Sequence, residues 1–253
     1  MKLPATRRHW NRFARQDPFW AVLTDPTKVG GGWQVEEFFK TGRDAIAVQV
    51  RAVRDQLPEL RRGRALDFGC GVGRLSQALA EHFDAVEGVD IAEDMLALAR
   101  RHNRHGPRVT YHHNTEADLR LFPDNRFDFV LSDITLQHVE PQYARAYITE
   151  FVRVTAPGGA ISFQLPAWIP PGDRPERFKF SWYPPTLWTR IRRFTRRWWQ
   201  RYFPSEPVME VHAVPQAEVL ELLRSAGSTI VSVERNYAAG PAIESYRYLA
   251  IKT

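Results

Sequence analysis

The chain of 253 residues predicts a doubly wound α/β domain with a seven-stranded, mostly parallel sheet and an aromatic, basic helical insertion after the fifth strand. Three observations predict it. Short apolar strands alternate with helix-length amphipathic segments from Arg64 onward. A glycine loop, Gly69-Cys-Gly-Val-Gly73, joins the first strand to the helix that follows. The second strand ends on an acid, Asp90, about 20 residues after that loop.

Trp33 to Leu57 reads as helix, interrupted at Thr41-Gly42, where Thr41 and Asp44 resemble a capping box opening a second helix. Arg64–Phe68 is the first strand, and Arg74 to Phe83 the helix after the glycine loop. Val86–Asp90 is a strand, Ala92 to Asn103 a helix, and Arg108 to His112 the third strand. Phe127–Ser132 is the fourth strand, and Pro141 to Val154 is helical, with proline suited to the first turn, where its missing N–H has no partner to lose. Ala160 to Leu165 is the fifth strand. Pro215 to Ala226 is a helix stopped by Gly227, and Thr229 to Asn236 and Ser245 to Ile251 close the sheet.

Hydrophobic residues make up 43% and charged residues 25%, ordinary for a globular chain and wrong for a disordered one. The single cysteine, Cys70, excludes an internal disulfide and a multi-cysteine zinc site, and fits a reducing compartment. Met1 to Arg15 has no apolar stretch of the signal-peptide kind, and the uncharged run Val154 to Gly172 is broken by four prolines. A cytoplasmic chain is expected, with peripheral membrane contact left open. The net charge of +6 is concentrated: Trp168 to Phe203 carries nine Lys and Arg against Asp173 and Glu176, and five of the eight tryptophans. Met1 to Arg15 adds five cations and no acid. Fields of this sign attract phosphate, carboxylate or an anionic surface.

The glycine loop carries the chemistry. Its spacing is G-x-G-x-G followed by a bulky Arg74, not the G-x-G-x-x-G of a dinucleotide site. Asp67, two residues before the first glycine, suits a cationic ligand group better than a pyrophosphate. Asp90 is placed to accept from both hydroxyls of a ribose. The segment from Asp44 to Leu165 resembles the class I S-adenosylmethionine-dependent methyltransferases. Asp67–Leu75 is similar to that family's first motif and Val89–Met95 to its second. Ala117-Asp-Leu119 with Phe122–Val130 resembles the third, and Arg153–Gly159 the run before strand five.

The resemblance implies a Rossmann-like methyltransferase fold; residues 1–253 are read as a single such domain, with 1–57 as a helical lid or cap and 166–210 as an inserted segment that departs from a minimal family member. It implies S-adenosylmethionine as cofactor and a role for each matched residue. Gly69, Cys70 and Gly71 would hold the methionine part, with Asp67 near the donor's amino end. Asp90 would grip the ribose, and Ile91 would lie against the adenine. Asp118 would accept from the adenine amino group while the Leu119 N–H donates to the ring. Asp133 and Gln137 would border the sulfonium. Arg43 is a further candidate for the cofactor carboxylate. If the acceptor is a hydroxyl, a general base helps. His138 is the candidate and Asp133 the fallback, with a structural histidine as the competing reading. No metal site is expected, because His102, His105, His112 and His113 lack ligand spacing.

Aromatics beside Gly30-Gly-Gly32 suit either a lid or simple edge packing. Between Thr186 and Phe203, Leu187, Ile191, Phe194, Trp198 and Tyr202 form one helical face, and six arginines occupy much of the rest. That helix reads as an active-site lid, a membrane-interface helix or a nucleic-acid surface. The acceptor is accordingly expected to be a small or lipid-linked, anionic molecule methylated on O or N. The alternative is a nucleic-acid-binding protein of the same fold. Ser132-Asp-Ile-Thr135 lacks the Asn/Asp-Pro-Pro-aromatic run of nucleic-acid amino-methyltransferases, which argues against it.

Overall fold

The computed structural model describes residues 3–170, the backbone of 177–180, and residues 207–253. The arginine-rich helix expected over 186–203 and most of the expected insertion lie outside the described residues. Seven strands form one sheet in the order β3-β2-β1-β4-β5-β9-β8. They are β1 (Arg64–Phe68), β2 (Ala85–Asp90), β3 (Val109–His113), β4 (Phe127–Ser132), β5 (Thr155–Trp168), β8 (Ser228–Asn236) and β9 (Glu244–Lys252). The first five pair in parallel, and β9 runs antiparallel to both neighbours. A separate two-stranded ribbon, β6 (Arg177–Phe180) with β7 (Met209–His212), follows β5.

Helices cover both faces. On one side α3 (Val35–Gln56), α4 (Arg74–Leu79) and α5 (Glu93–His102) bury Ile46, Val50, Leu79 and Leu96 against Phe129, which stacks on Phe83 with centroids 5.4 Å apart. On the other, α6 (Pro141–Val154) and α7 (Gln216–Ser225) bury Ile148, Phe151, Val219 and Leu223 against Phe163 and Tyr248. The central strands β1, β4 and β5 are mostly buried, as expected for parallel strands covered on both faces.

The expected break at Thr41-Gly42 is corrected: α3 is continuous. The Thr41 hydroxyl donates to the Phe38 carbonyl, 2.6 Å away, so it bonds back into its own helix instead of capping a new one. Gly42 is buried because α4 crosses it: a Cβ there would sit 2.4 Å from the Arg74 carbonyl oxygen. Gly42→Ala is therefore expected to destabilise the fold by ~1–3 kcal/mol through overpacking, read from the denaturant midpoint. An unchanged midpoint would show that the two helices separate freely.

Two helices precede α3. The first, α1 (Leu3–Gln16), buries Leu3, Thr6, Phe13 and Ala14 and packs along α5. Asn11 there accepts from the Asp94 N–H, and Arg15 pairs with the Asp94 carboxylate at 2.8 Å. The second, α2 (Pro18–Val22), opens with proline at its first position. Asp17 between them accepts from the N–H groups of Gly30 and Gly31, which ties the glycine run back to the start of α2. No described helix is long and apolar enough to cross a membrane.

Candidate functional site

In a doubly wound sheet the ligand crevice opens where neighbouring strands leave in opposite directions, beyond their carboxyl ends. Here that point lies beyond β1, flanked by β2 and β4. A cavity of about 360 Å³ sits there, within the range of small-molecule sites. Its floor is Asp67 to Gly71 with Arg74, Asp90, Ile91 and Asn114. Its walls come from α1 (Leu3, Thr6, Trp10), from Ala21–Thr24, from Asp133–Val139 after β4, from β7 (Met209, Val211) and from Ala238–Ile243.

The glycine loop is held by its own strands. The Gly69 and Cys70 N–H groups donate to the Val89 carbonyl at 2.8 and 3.1 Å. Gly69 has φ +76°, and a Cβ there would lie 2.0 Å from Thr135, so only glycine lets the two loops meet. Asp90 accepts from the Gly71 N–H at 2.9 Å through Oδ2 and from the Ala92 N–H at 2.8 Å through Oδ1. Each carboxylate oxygen keeps a lone pair for a ligand hydroxyl. Burial raises the Asp90 pKa, while the N–H groups of Ala92, Gly71 and Ile91 oppose the rise.

Asp67 is buried and accepts from the Ser76 hydroxyl at 2.6 Å. Burial pushes its carboxyl up to about 6, against the pull of Ser76 and of the Arg74 charge. Arg74 is itself 6% exposed and lines the cavity, yet its Nε has no hydrogen-bond partner. Its Nη1 lies 3.4 Å from the Thr41 hydroxyl, and Asp133 and Asp67 are its charge neighbours. Arg74 is a residue that the sequence reading passed over; its signal was its position as the first helical residue after the glycines. Arg43 does not line the cavity. The Cys70 thiol is raised by burial and by Asp90 and Asp67, so it stays protonated.

The structure does not bring Asp118 and Leu119 to the cavity. The Asp118 carboxylate pairs with Arg120, accepting from its N–H at 3.1 Å and its Nε at 2.7 Å. The Leu119 N–H donates to Glu150 Oε2 at 2.6 Å. The Leu119 N–H is therefore not left for a purine, while the Asp118 carboxylate is paired away from the cavity. Asn114 stands on the cavity instead, directly after β3, with its amide turned back to the Asp118 carbonyl at 2.7 Å. Its signal was the end of a parallel strand beside Asp90.

After β4 the chain turns sharply. Asp133 is not a free base: Oδ1 accepts from Arg247 at 2.7 Å and Oδ2 from Gln49 at 3.3 Å. Gln137 and His138 lie at the cavity in the short helical turn Leu136–His138. His138 Nδ1 is 2.7 Å from the Glu210 carbonyl. A carbonyl only accepts, so Nδ1 carries the proton and the Nε2 lone pair faces Gln137 Nε2 at 3.1 Å. Gln137 Oε1 in turn accepts from Gln164, which also donates to Ser245. Burial lowers the His138 pKa to about 4, so the ring is neutral at ordinary pH. Among the described residues no three His, Cys, Asp or Glu side chains converge as metal ligands.

Residues 65–159 match a family model described as a methyltransferase domain. The stretch from β1 to the start of β5 is thus similar to a methyltransferase domain. A ubiquinone biosynthesis O-methyltransferase from Pseudomonas syringae pv. tomato is 34% identical over 133 residues, 52% of this chain and 56% of that protein. The chain thus spans about half the length of the curated relatives it matches. The magnesium protoporphyrin IX methyltransferase of Synechocystis PCC 6803, solved with bound SAH, superposes with a TM-score of 0.60 at 19% identity, covering 98% of each chain. An S-adenosylmethionine-dependent methyltransferase from Clostridium acetobutylicum gives 0.60 at 16% identity over 96% of this chain and 98% of its own. These likenesses are of fold. The stretch matched by the family model contains the glycine loop, Asp90 and His138, whereas α1, β7 and Ala238–Ile243 lie outside it.

Proposed function

We propose that the chain transfers a methyl group from S-adenosylmethionine to a hydroxyl oxygen of a small, largely apolar acceptor. The carrying observation is that one cavity is lined by two chemically different sets of groups. In the first, the spare lone pairs of Asp90 suit adjacent ribose hydroxyls, Ile91 is apolar, and the Arg74 guanidinium suits an amino-acid carboxylate. In the second, Trp10, Val139, Met209, Val211 and Ile243 are apolar, and Gln137 and His138 are the polar pair, with Trp10 packed on the His138 ring at 5.3 Å. S-adenosylmethionine supplies a methyl already activated on a positively charged sulfur. What remains for the protein is alignment, exclusion of water and acceptance of the hydroxyl proton. An acceptor hydroxyl in place of the Gln137 amide would donate to His138 Nε2. The relatives' printed activity, O-methyl transfer, supports oxygen over nitrogen.

The expected anionic partner belongs on the surface in this reading, because Arg74 is the single cation among the described cavity residues. Arg7, Arg8, Arg12 and Arg15 lie along one flank of α1 beside His113, while Leu3, Thr6 and Trp10 of the same helix line the cavity. An anionic bilayer meeting that flank would bring a lipid-linked acceptor to the cavity wall. A nucleic acid would meet the same charges with a steep salt dependence.

The experiment is a by-product assay: purified chain and S-adenosylmethionine with pools of phenols, alcohols, amines and lipids, reading S-adenosylhomocysteine release and methylated product. Turnover is expected with the hydroxyl pools. Turnover confined to amines would replace oxygen by nitrogen, and calorimetric binding of NAD without S-adenosylhomocysteine would remove the cofactor assignment.

A further inference from the structure

Ile134 is held in the left-handed region, with φ +55°, and it lines the cavity. A β-branched residue is a poor choice there, because its Cβ substituents crowd the backbone that glycine would leave open. A turn alone needs only glycine or asparagine. The conformation must therefore be imposed by its surroundings.

Those surroundings are specific. Immediately before Ile134, the Asp133 carboxylate closes a three-membered ring of side chains. Arg247 on β9 donates through Nη2 to Asp133 at 2.7 Å and through Nη1 to Gln49 Oε1 at 2.9 Å. Gln49 on α3 completes the ring by donating to the second Asp133 oxygen at 3.3 Å. Each member meets both others, and the ring joins three elements that are remote in sequence. Immediately after Ile134, the Thr135 hydroxyl lies between the Asp133 and Gly69 carbonyls at 3.2 and 3.4 Å, and the Thr135 side chain fills the space over Gly69. The Thr135 carbonyl then accepts from the His138 N–H at 2.9 Å, opening the turn that carries Gln137 and His138. The strained residue is thus pinned from both sides, and the turn it leads into presents the polar pair of the cavity.

We propose that the Gln49–Asp133–Arg247 ring is a positioning device that fixes Ile134 and the Leu136–His138 turn in their ligand-ready arrangement. Asp133 then acts through the loop and does not accept a proton from substrate. Its value lies in preorganisation: a loop already in place spends no ligand-binding energy on ordering itself. The part of the inference that concerns the cofactor rests on the proposed function; the part that concerns the loop does not.

The test has two readouts on the full chain. Amide hydrogen exchange reads the loop without any ligand. Arg247→Met is expected to speed exchange of the His138 amide at least ten-fold relative to amides of α6, and Arg247→Lys not to restore it, because a single ammonium cannot bridge Asp133 and Gln49 in the same planar geometry. Unchanged exchange in Arg247→Met overturns the proposal. Calorimetry with S-adenosylhomocysteine reads the consequence. Ile134→Gly should keep or raise the melting temperature, since the strain is relieved, while weakening binding about five- to ten-fold. Arg247→Met should weaken it comparably, and the double variant should be no worse than about two-fold below either single one, because both act through one loop. Parent-like affinity in Ile134→Gly, or losses that multiply in the double variant, also overturns it. If the parent binds no S-adenosylhomocysteine while Arg247→Met still loosens the loop, the cofactor assignment falls and the positioning ring stands.

Discussion

Asp90→Ala is expected to weaken S-adenosylhomocysteine binding by on the order of 10²–10⁴-fold. In the proposed complex the carboxylate accepts from two ribose hydroxyls, and each charge-assisted bond is worth roughly 1.5–3 kcal/mol, with each 1.4 kcal/mol a factor of ten. The loss does not stop at the ligand. Asp90 also holds the Gly71 and Ala92 N–H groups, at 2.9 and 2.8 Å, so its removal unties the glycine loop from the end of β2. Asn at 90 separates the two roles. Its amide oxygen can serve one of those N–H groups, but its NH₂ faces the other donor, so Asp90→Asn should also bind poorly despite its size. Titration calorimetry on variants shown to be folded by circular dichroism is the measurement. Affinity within two-fold of the parent in Asp90→Ala would take Asp90 out of the site.

What could be read from the sequence follows from how far apart the partners lie. The strand–loop–helix at Asp67–Arg74 and the acid at Asp90 are local constructions, and the structure brings them together on one cavity floor. The alternation of apolar strands and amphipathic helices marks the sheet, because burial on both faces writes itself into the central parallel strands β1, β4 and β5. Asp118 and Leu119 lie off the cavity lining and are paired with Arg120, two residues on, and Glu150 on α6, partners that local motif matching does not weigh. The supposed break at Thr41-Gly42 is a packing notch for α4, which only the folded chain reveals. The ring of Gln49, Asp133 and Arg247 spans most of the chain, and no local pattern marks it. The strand β7 is four residues long and was overlooked beside the basic segment, yet its Glu210 carbonyl decides the tautomer of His138.

That tautomer decides what His138 can do, and His138→Ala is expected to lower turnover on a hydroxyl acceptor by about 10²-fold, the low end of the usual general-base range. Two facts set the magnitude. The Nδ1 proton is committed to Glu210, so Nε2 is the lone acceptor on the cavity side, correctly placed to take a hydroxyl hydrogen bond. Burial, however, holds the imidazole pKa down to about 4, so it is a weak base and contributes more by orienting the hydroxyl than by removing its proton outright. The pH profile carries the same signature. A solvent-exposed histidine base would give an inflection near its ordinary value of 6.5. Here the neutral form persists well below that, and kcat/KM should show no histidine inflection between pH 5 and 8, rising only as the acceptor itself ionises. Stability moves with the same sign. The unfolded histidine takes up a proton below 6.5 and the folded one only near 4, so folding free energy is lost as pH falls through that window. In the alanine variant this part of the acid sensitivity should disappear. An inflection in kcat/KM near 6.5 that vanishes in His138→Ala would show that ligand binding opens the site to water and restores an ordinary base, which this geometry does not expect. A folded variant with parental turnover would leave His138 with a packing role alone, against Trp10 at 5.3 Å and the Glu210 backbone.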